Sequence, residues 1–332
     1  MQYDGRVELL VIVRYNAQPY MVGFWLSEAL ARLQLSPFAP QKCVNAAHFR
    51  GAKGDNESTM TKSYEVLPGQ SVELLKELHI LTRDGKMNQD SRRKLKQVFH
   101  LFQFIQPLLQ ETLAEHADLT LVDHGAGKSY LGFLLYDLFF KEFAKQGKIW
   151  GIERREELVT RSQELAERLG FVGMSFLNQS VDESLHSDVL PERIDVVTAL
   201  HACDTATDDA IRFSLQKHAK HIVLVPCCQA EVASILRKYK NIARKKSVVS
   251  ELYRHALHTR EFGSQITNVL RCLQLESHGY QVNVTELVGW EHSMKNELII
   301  ASYKNLPRNT AAQRLTELLE MVGLEEMSDR FC

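Results

Sequence analysis

From Leu119 onward the chain repeats one unit: a short apolar run, a turn, then a helical pattern. No other feature constrains the fold as much. Strand-like runs fall at Leu119–Asp123, Lys148–Glu153, Ser175–Leu177, Ile194–Leu200 and His221–Val225. Amphipathic segments separate them; the clearest is Glu157–Leu169, stopped by Gly170. Strands joined through helices run parallel, because a parallel crossover needs about a dozen residues or more. Both faces of such a sheet are covered, which is why its strands read as continuous apolar runs. Gln281–Val288 and Glu297–Tyr303 follow with only a short connection, which predicts an antiparallel hairpin. Five parallel strands closed by a hairpin make an α/β domain with a seven-stranded Rossmann-like sheet, a poorer match to a six-stranded dinucleotide fold.

Before residue 117 the pattern is mixed. A strand-like run at Val7–Val13 precedes a loop-rich stretch from Ser36 to Gly69. Helical patterns follow at Val72–Leu81 and Ser91–Leu113, the second with Asp90 as its N-cap. The expected organisation is therefore a mostly helical, loop-rich N-terminal domain over 1–116 that holds substrate, the sheet domain over 117–305, and a C-terminal helix with a frayed tail over 306–332. The six cysteines are scattered, without the dense spacing of a secreted scaffold, and no apolar run approaches the roughly twenty residues of a membrane span. These features predict a cytoplasmic protein with reduced thiols and no membrane partner. The net charge of −1 leaves electrostatics to local clusters.

Ligands of open α/β sheets bind beyond the carboxyl ends of the strands. The first such end reads Val122-Asp123-His124-Gly125-Ala126-Gly127-Lys128-Ser129-Tyr130. A phosphate-cradling loop needs a glycine where Val122 stands, and a dinucleotide fingerprint needs a small residue where Tyr130 stands. S-adenosylmethionine has no phosphate and carries a sulfonium and an ammonium. Asp123 suits those charges, and the helix N-terminus suits its carboxylate. We therefore expect S-adenosylmethionine as cofactor, with Asp123, Gly125 and Gly127 around its methionine end. Glu153, closing the second strand, is placed to accept the ribose hydroxyls, with helix capping as the plain alternative. Ser180, after the third strand, is expected near the adenine, with an ordinary turn role as the alternative.

The fourth strand opens into His201-Ala202-Cys203-Asp204-Thr205-Ala206-Thr207-Asp208, and the fifth into Pro226-Cys227-Cys228-Gln229. These two segments, with the Gly125–Gly127 turn and Glu291-His292-Ser293-Met294-Lys295-Asn296, resemble a family of class I S-adenosylmethionine-dependent methyltransferases marked by His-Ala-Cys and Pro-Cys-Cys segments. That family is related to the tRNA 2′-O-methyltransferases with paired cysteines. The resemblance covers roughly residues 45–303. It implies the seven-stranded methyltransferase sheet and the donor, and the strand-end positions of His201, Asp204, Cys227 and Cys228 lead us to expect them along the transfer site. Ser129 departs from the commonest donor loop, which has a third glycine there.

Three readings of Cys203, Cys227 and Cys228 stay open: small buried apolar residues, a thiolate nucleophile for pyrimidine C5 methylation, or metal ligands with His201. Adjacent cysteines lack the usual ligand spacing, so no metal is expected. From Leu236 to Arg260 eight basic residues, among them Lys238, Arg244, Lys245 and Lys246, face the single acid Glu251. Residues 41–110 add Arg50, Lys53, Lys62, Arg92, Arg93, Lys94 and Lys96, and Tyr64, Phe49 and Tyr253, in or near the two basic stretches, can stack on bases or belong to the core. Lys295 and Asn296 are expected to shape the substrate mouth, with a plain turn as the equal alternative. RNA is the favoured acceptor and partner; the alternatives are a small molecule or protein acceptor, or a donor-binding protein without turnover.

Overall fold

Seven strands form one sheet in the order β5-β4-β3-β6-β7-β9-β8. They are β3 (Thr120–His124), β4 (Lys148–Glu153), β5 (Met174–Asn178), β6 (Val196–Leu200), β7 (His221–Val225), β8 (Tyr280–Glu286) and β9 (Glu297–Tyr303). The first five are parallel, and β9 runs antiparallel to both β7 and β8. The expected sheet is the observed one. This computed structural model describes residues 11–15, 18–22, 66–67, 69–200, 202, 204–226, 229–243, 248–287 and 297–332. The chain divides into two units, Met1–Met60 and Thr61–Cys332. In the first, β1 (Val11–Tyr15) and β2 (Gln18–Val22) pair antiparallel.

Helices cover both faces of the sheet. On one side Leu121, Ile149, Val196 and Val223 pack with α1 (Val72–Glu77), α2 (Gln89–Leu113) and α3 (Tyr130–Leu135). The last of these runs through a π-turn into α4 (Lys141–Phe143), and α5 (Glu156–Leu169) adds Ala166 to the same core. On the other side Val122, Trp150, Val197 and Ile222 meet α7 (Thr205–Gln216). The short α6 (Val181–Leu185) lies between β5 and β6 in the chain. Neighbouring residues such as Leu121 and Val122 enter opposite cores, as strand alternation requires.

Three observations bear on the expected elements. The N-cap of α2 is Asn88, whose side chain accepts the Ser91 amide hydrogen, while Asp90 lies inside the first turn and pairs with Arg93 and Lys94. Second, α1 and α2 share the core of the sheet, within the compact unit Thr61–Cys332. Third, the C-terminus is not frayed. After α10 (Asn309–Val322) the chain turns into α11 (Ser328–Phe331), and Leu324 and Phe331 are fully buried. They join a third core with α8 (Glu231–Ala243) and α9 (Ala256–Ser277). Among the described residues no helix is long and apolar enough to cross a membrane.

Candidate functional site

Between β3 and α3 the backbone is left-handed at Gly125 (φ +62°), Gly127 (φ +58°) and Ser129 (φ +49°). The serine thus takes the conformation that a third glycine would take. Its side chain is accommodated by glycines elsewhere: a Cβ on Gly132 would lie 2.6 Å from Ser129 Oγ, and one on Gly151 3.4 Å from it. Tyr130 donates its hydroxyl to the Leu78 carbonyl at 2.9 Å.

Asp123 closes β3 almost fully buried, and Thr198 Oγ1 donates to its Oδ1 at 2.8 Å. Burial pushes this carboxyl up to about 6, against the hydrogen bond from Thr198. His124 beside it is buried edge-on to Phe213, and burial pushes it down to about 4, so its ring is neutral at physiological pH.

Glu153 at the tip of β4 accepts the Gly127 amide hydrogen on Oε2 at 2.9 Å. Arg155 holds the other oxygen, its amide at 3.1 Å and its Nε at 2.9 Å from Oε1. Burial works against ionisation here, but the hydrogen bonds from Arg155 and Gly127 win and keep the carboxyl below its usual range. Asn178 Nδ2 donates to the Glu153 and Arg154 carbonyls, which pins the next strand end. Ser180 takes a third role, as a helix cap. It caps α6 in a reciprocal capping box with Glu183, and it is not among the residues around the cavity described below.

Across the sheet, Asp204 sits at φ +50°, ψ −120°, a conformation rare for a residue with a Cβ. Its carboxylate accepts the Ala230 and Glu231 amides at 3.1 and 3.4 Å, tying the turn after β6 to the start of α8. Thr207 donates to the Ala202 carbonyl at 2.6 Å. Beneath both turns lies Arg271 of α9, fully buried. Its Nε and Nη2 donate to Asp208 at 2.6 and 3.1 Å, its Nη1 to Asn268 Oδ1 at 3.1 Å, and Nη2 also to the Asp204 carbonyl at 2.8 Å. Asn268 in turn contacts Gln229 (3.0 Å) and Glu297 (2.5 Å).

Asp123, Gly125, Gly127 and Arg155 open into a cavity of about 630 Å³. Its walls are mostly apolar, with Val98, Leu101 and Phe102 of α2 facing Leu200, Val225 and Leu287 at strand ends. Lys94 and Lys128 supply positive charge at its boundary. Of the basic stretch, Arg237, Lys238, Arg254 and Arg260 are exposed, with Arg254 paired to Glu251 and Arg260 to Glu261. Tyr253 is not available for stacking on a base: it is buried against Phe262 in the third core.

The structure therefore brings Asp123, Gly125, Gly127 and Glu153 together and gives Ser180 and Asp204 hydrogen-bonding roles within the chain. The expectations for His201, Cys203, Cys227, Cys228, Arg244, Lys245, Lys246, Lys295 and Asn296, and for Phe49, Arg50, Lys53, Lys62 and Tyr64, lie outside the described residues. Sequence reasoning missed Arg155, Gly132 and the Arg271 network. One signal for Arg271 exists: it lies on the buried stripe of α9 with Thr267, Leu270 and Leu275, where a lone cation demands a buried acid.

Residues 93–235 match the family model described as a methyltransferase domain. The methyltransferase-domain match thus spans the five parallel strands of a Rossmann-like seven-stranded sheet. Two curated relatives carry the name glutathione S-transferase C-terminal domain-containing protein. The Xenopus laevis protein is 24% identical over 66% of this chain and 36% of its own length, and the Bos taurus protein 22% identical over 73% and 37%. The chain spans little more than a third of the length of these relatives. Among solved structures, an rRNA methylase from Streptococcus thermophilus aligns with a TM-score of 0.39 at 10% identity, over 61% of this chain and 95% of that one.

Proposed function

We propose that this protein transfers the methyl group of S-adenosylmethionine to RNA. The observation that carries the donor assignment is the link between two strand tips: Glu153 bonded to the Gly127 amide, with buried Asp123 on the strand between β4 and β6. The left-handed glycines leave space that a Cβ would fill, so backbone can approach the ligand. Asp123 supplies negative charge for an ammonium, and Glu153 supplies two acceptor oxygens for vicinal hydroxyls once the Arg155 side chain, which donates to both, releases them. When bound, the donor supplies an electrophilic methyl on a positively charged sulfur, which leaves as a neutral thioether.

The chain's own part is alignment. Holding an acceptor in line with the methyl group is worth several kcal/mol of barrier, on the order of 7–11 in the best oriented cases. Apolar walls from α2 and the ends of β6 and β7 exclude water and suit the face of a nucleobase. Lys94 and Lys128 at the cavity, and the exposed Arg92, Lys96, Arg237 and Lys238, suit the phosphates on either side of it. His201, Cys227 and Cys228 complete the proposed transfer site together with Asp204. Lys238, Arg244, Lys245, Lys246, Lys295 and Asn296 complete the proposed substrate surface. The same apolar cavity also favours a second reading, a small apolar acceptor.

Three experiments test these statements. Calorimetry should show binding of S-adenosylmethionine and none of ATP or NAD; the reverse result overturns the donor assignment. Mass spectrometry of nucleosides from cells with and without the protein should show one methylated nucleoside lost. An unchanged nucleoside profile, with label from the donor appearing in small molecules, favours the second reading. Alanine at Cys227 or Cys228, with a 5-fluoropyrimidine RNA as trap, decides whether either is a nucleophile.

A further inference from the structure

Arg271 occupies the most enclosed position of any cation among the described residues, and nothing in the donor site requires it. Stripping water from a guanidinium costs several kcal/mol, and an apolar residue on that face of α9 would serve packing as well or better. Its four hydrogen bonds are divided between one acid, Asp208, the Asp204 carbonyl in the turn after β6, and Asn268 one turn earlier on α9, which passes the contact on to Gln229 and Glu297. One guanidinium is thus connected to the turn after β6, the turn after β7 and the first residue of β9.

Asp204 shows what this arrangement holds. Its backbone is strained, and such strain persists only where the surroundings over-determine it. Here the carbonyl is held by Arg271 from below and the carboxylate by the Ala230 and Glu231 amides from the side. Two residues earlier, Ala202 lies against the donor turn, its Cβ 3.9 Å from where a Cβ on Gly125 would stand. A displacement at Asp204 therefore reaches the donor side within two residues.

We propose that Arg271 is a positioning residue of the transfer site, its buried guanidinium locking the strained turn at Asp204 against the start of α8 so that the acceptor meets the donor in one arrangement. The proposal rests on the reading of the β6–β7 rim as the place of transfer. A residue that only stabilised the core would affect melting and leave the rate at saturating donor unchanged.

The test uses the full chain with Arg271→Lys and the double variant Arg271→Met/Asp208→Asn, which removes both buried charges together and so avoids stranding one of them. Three quantities are measured: affinity for S-adenosylmethionine, the rate of label transfer from saturating donor to total cellular RNA, and amide hydrogen exchange. In the double variant the donor affinity should stay within about threefold, while the rate falls about a hundredfold, the effect of an ångström-scale misplacement. Exchange should rise at residues 204–209 and 229–232 and stay unchanged in α3 and α5. Arg271→Lys should recover part of both rate and protection. An unchanged rate at saturating donor, or exchange that rises uniformly, overturns the proposal. If the unsubstituted protein labels no RNA, the acceptor reading fails, and the exchange pattern alone then decides the role of Arg271.

Discussion

Glu153 Oε2 accepts the Gly127 amide hydrogen at 2.9 Å, while Arg155 holds Oε1 of the same carboxylate at 2.9 Å through its side chain. The acid assigned to the ribose is therefore shared between the glycine turn and a neighbouring cation. The Arg155 side chain is well exposed, so its grip is weak and readily exchanged. Arg155→Ala should tighten S-adenosylmethionine about two- to fivefold in calorimetry, the scale of an exposed ion pair. Glu153→Ala should weaken it at least about tenfold, since charge-assisted hydrogen bonds are lost. Weaker binding by Arg155→Ala would instead make that arginine a donor contact.

Asp123 gives a dependence on pH with a definite sign. Its folded value, about 6, lies above the ordinary 3.8 because burial disfavours the charge. Protonation therefore favours the fold. That contribution is complete below about pH 3.8 and is lost as pH rises through about 6. Asp123→Asn should raise the unfolding free energy at pH 7.5, read from urea melts, by on the order of 2–3 kcal/mol at most, and the gain should vanish near pH 4. Donor affinity should move the other way: weaker in Asp123→Asn, and weaker in the unsubstituted protein below about pH 6.

Ser129 and Gly132 should be coupled. Gly132→Ala places a Cβ 2.6 Å from Ser129 Oγ and should destabilise the fold by about 1–2 kcal/mol, despite the better helix propensity of alanine. Ser129→Gly relieves a left-handed serine and should stabilise by about 1 kcal/mol. In that background Gly132→Ala should change sign and gain up to about 1 kcal/mol. Urea melts of the four proteins give the coupling energy, and additive effects would show that the two side chains do not meet.

Arg92 and Lys96 on α2 are exposed, and Asp90 is engaged by Arg93 and Lys94. Reversing both charges should weaken binding to single-stranded RNA and reduce the magnitude of its log–log salt slope by about 1.4, two phosphate contacts' worth. The melting temperature should change little. A slope unaltered by the double reversal would remove α2 from the RNA surface.

The sheet was legible because periodicity and connection length are local properties of a chain. Lys148–Glu153 and His221–Val225 are recognisable as buried strands from their apolar runs, and the short link before Glu297 left only an antiparallel partner. Asp123 and Glu153 were legible for a related reason: in a parallel sheet, residues at strand ends come to one edge whatever the loops do. Caps were less so. Asn88 and Asp90 are both good cap residues, and only the exit angle of the chain chose the first.

By itself the sequence determined the strand order's parallel core, the glycine turn and the acids at its rim, since each follows from spacing and from what a backbone without Cβ can do. Tertiary structure alone decided that α1 and α2 share the sheet's core, that Ser180 caps a helix, and that Arg271 lies under Asp204 from 67 residues away along the chain. The reason is physical. A buried charge or an occupied carboxylate depends on which distant groups arrive within hydrogen-bond reach, and that is settled only when helices from separate parts of the chain pack together.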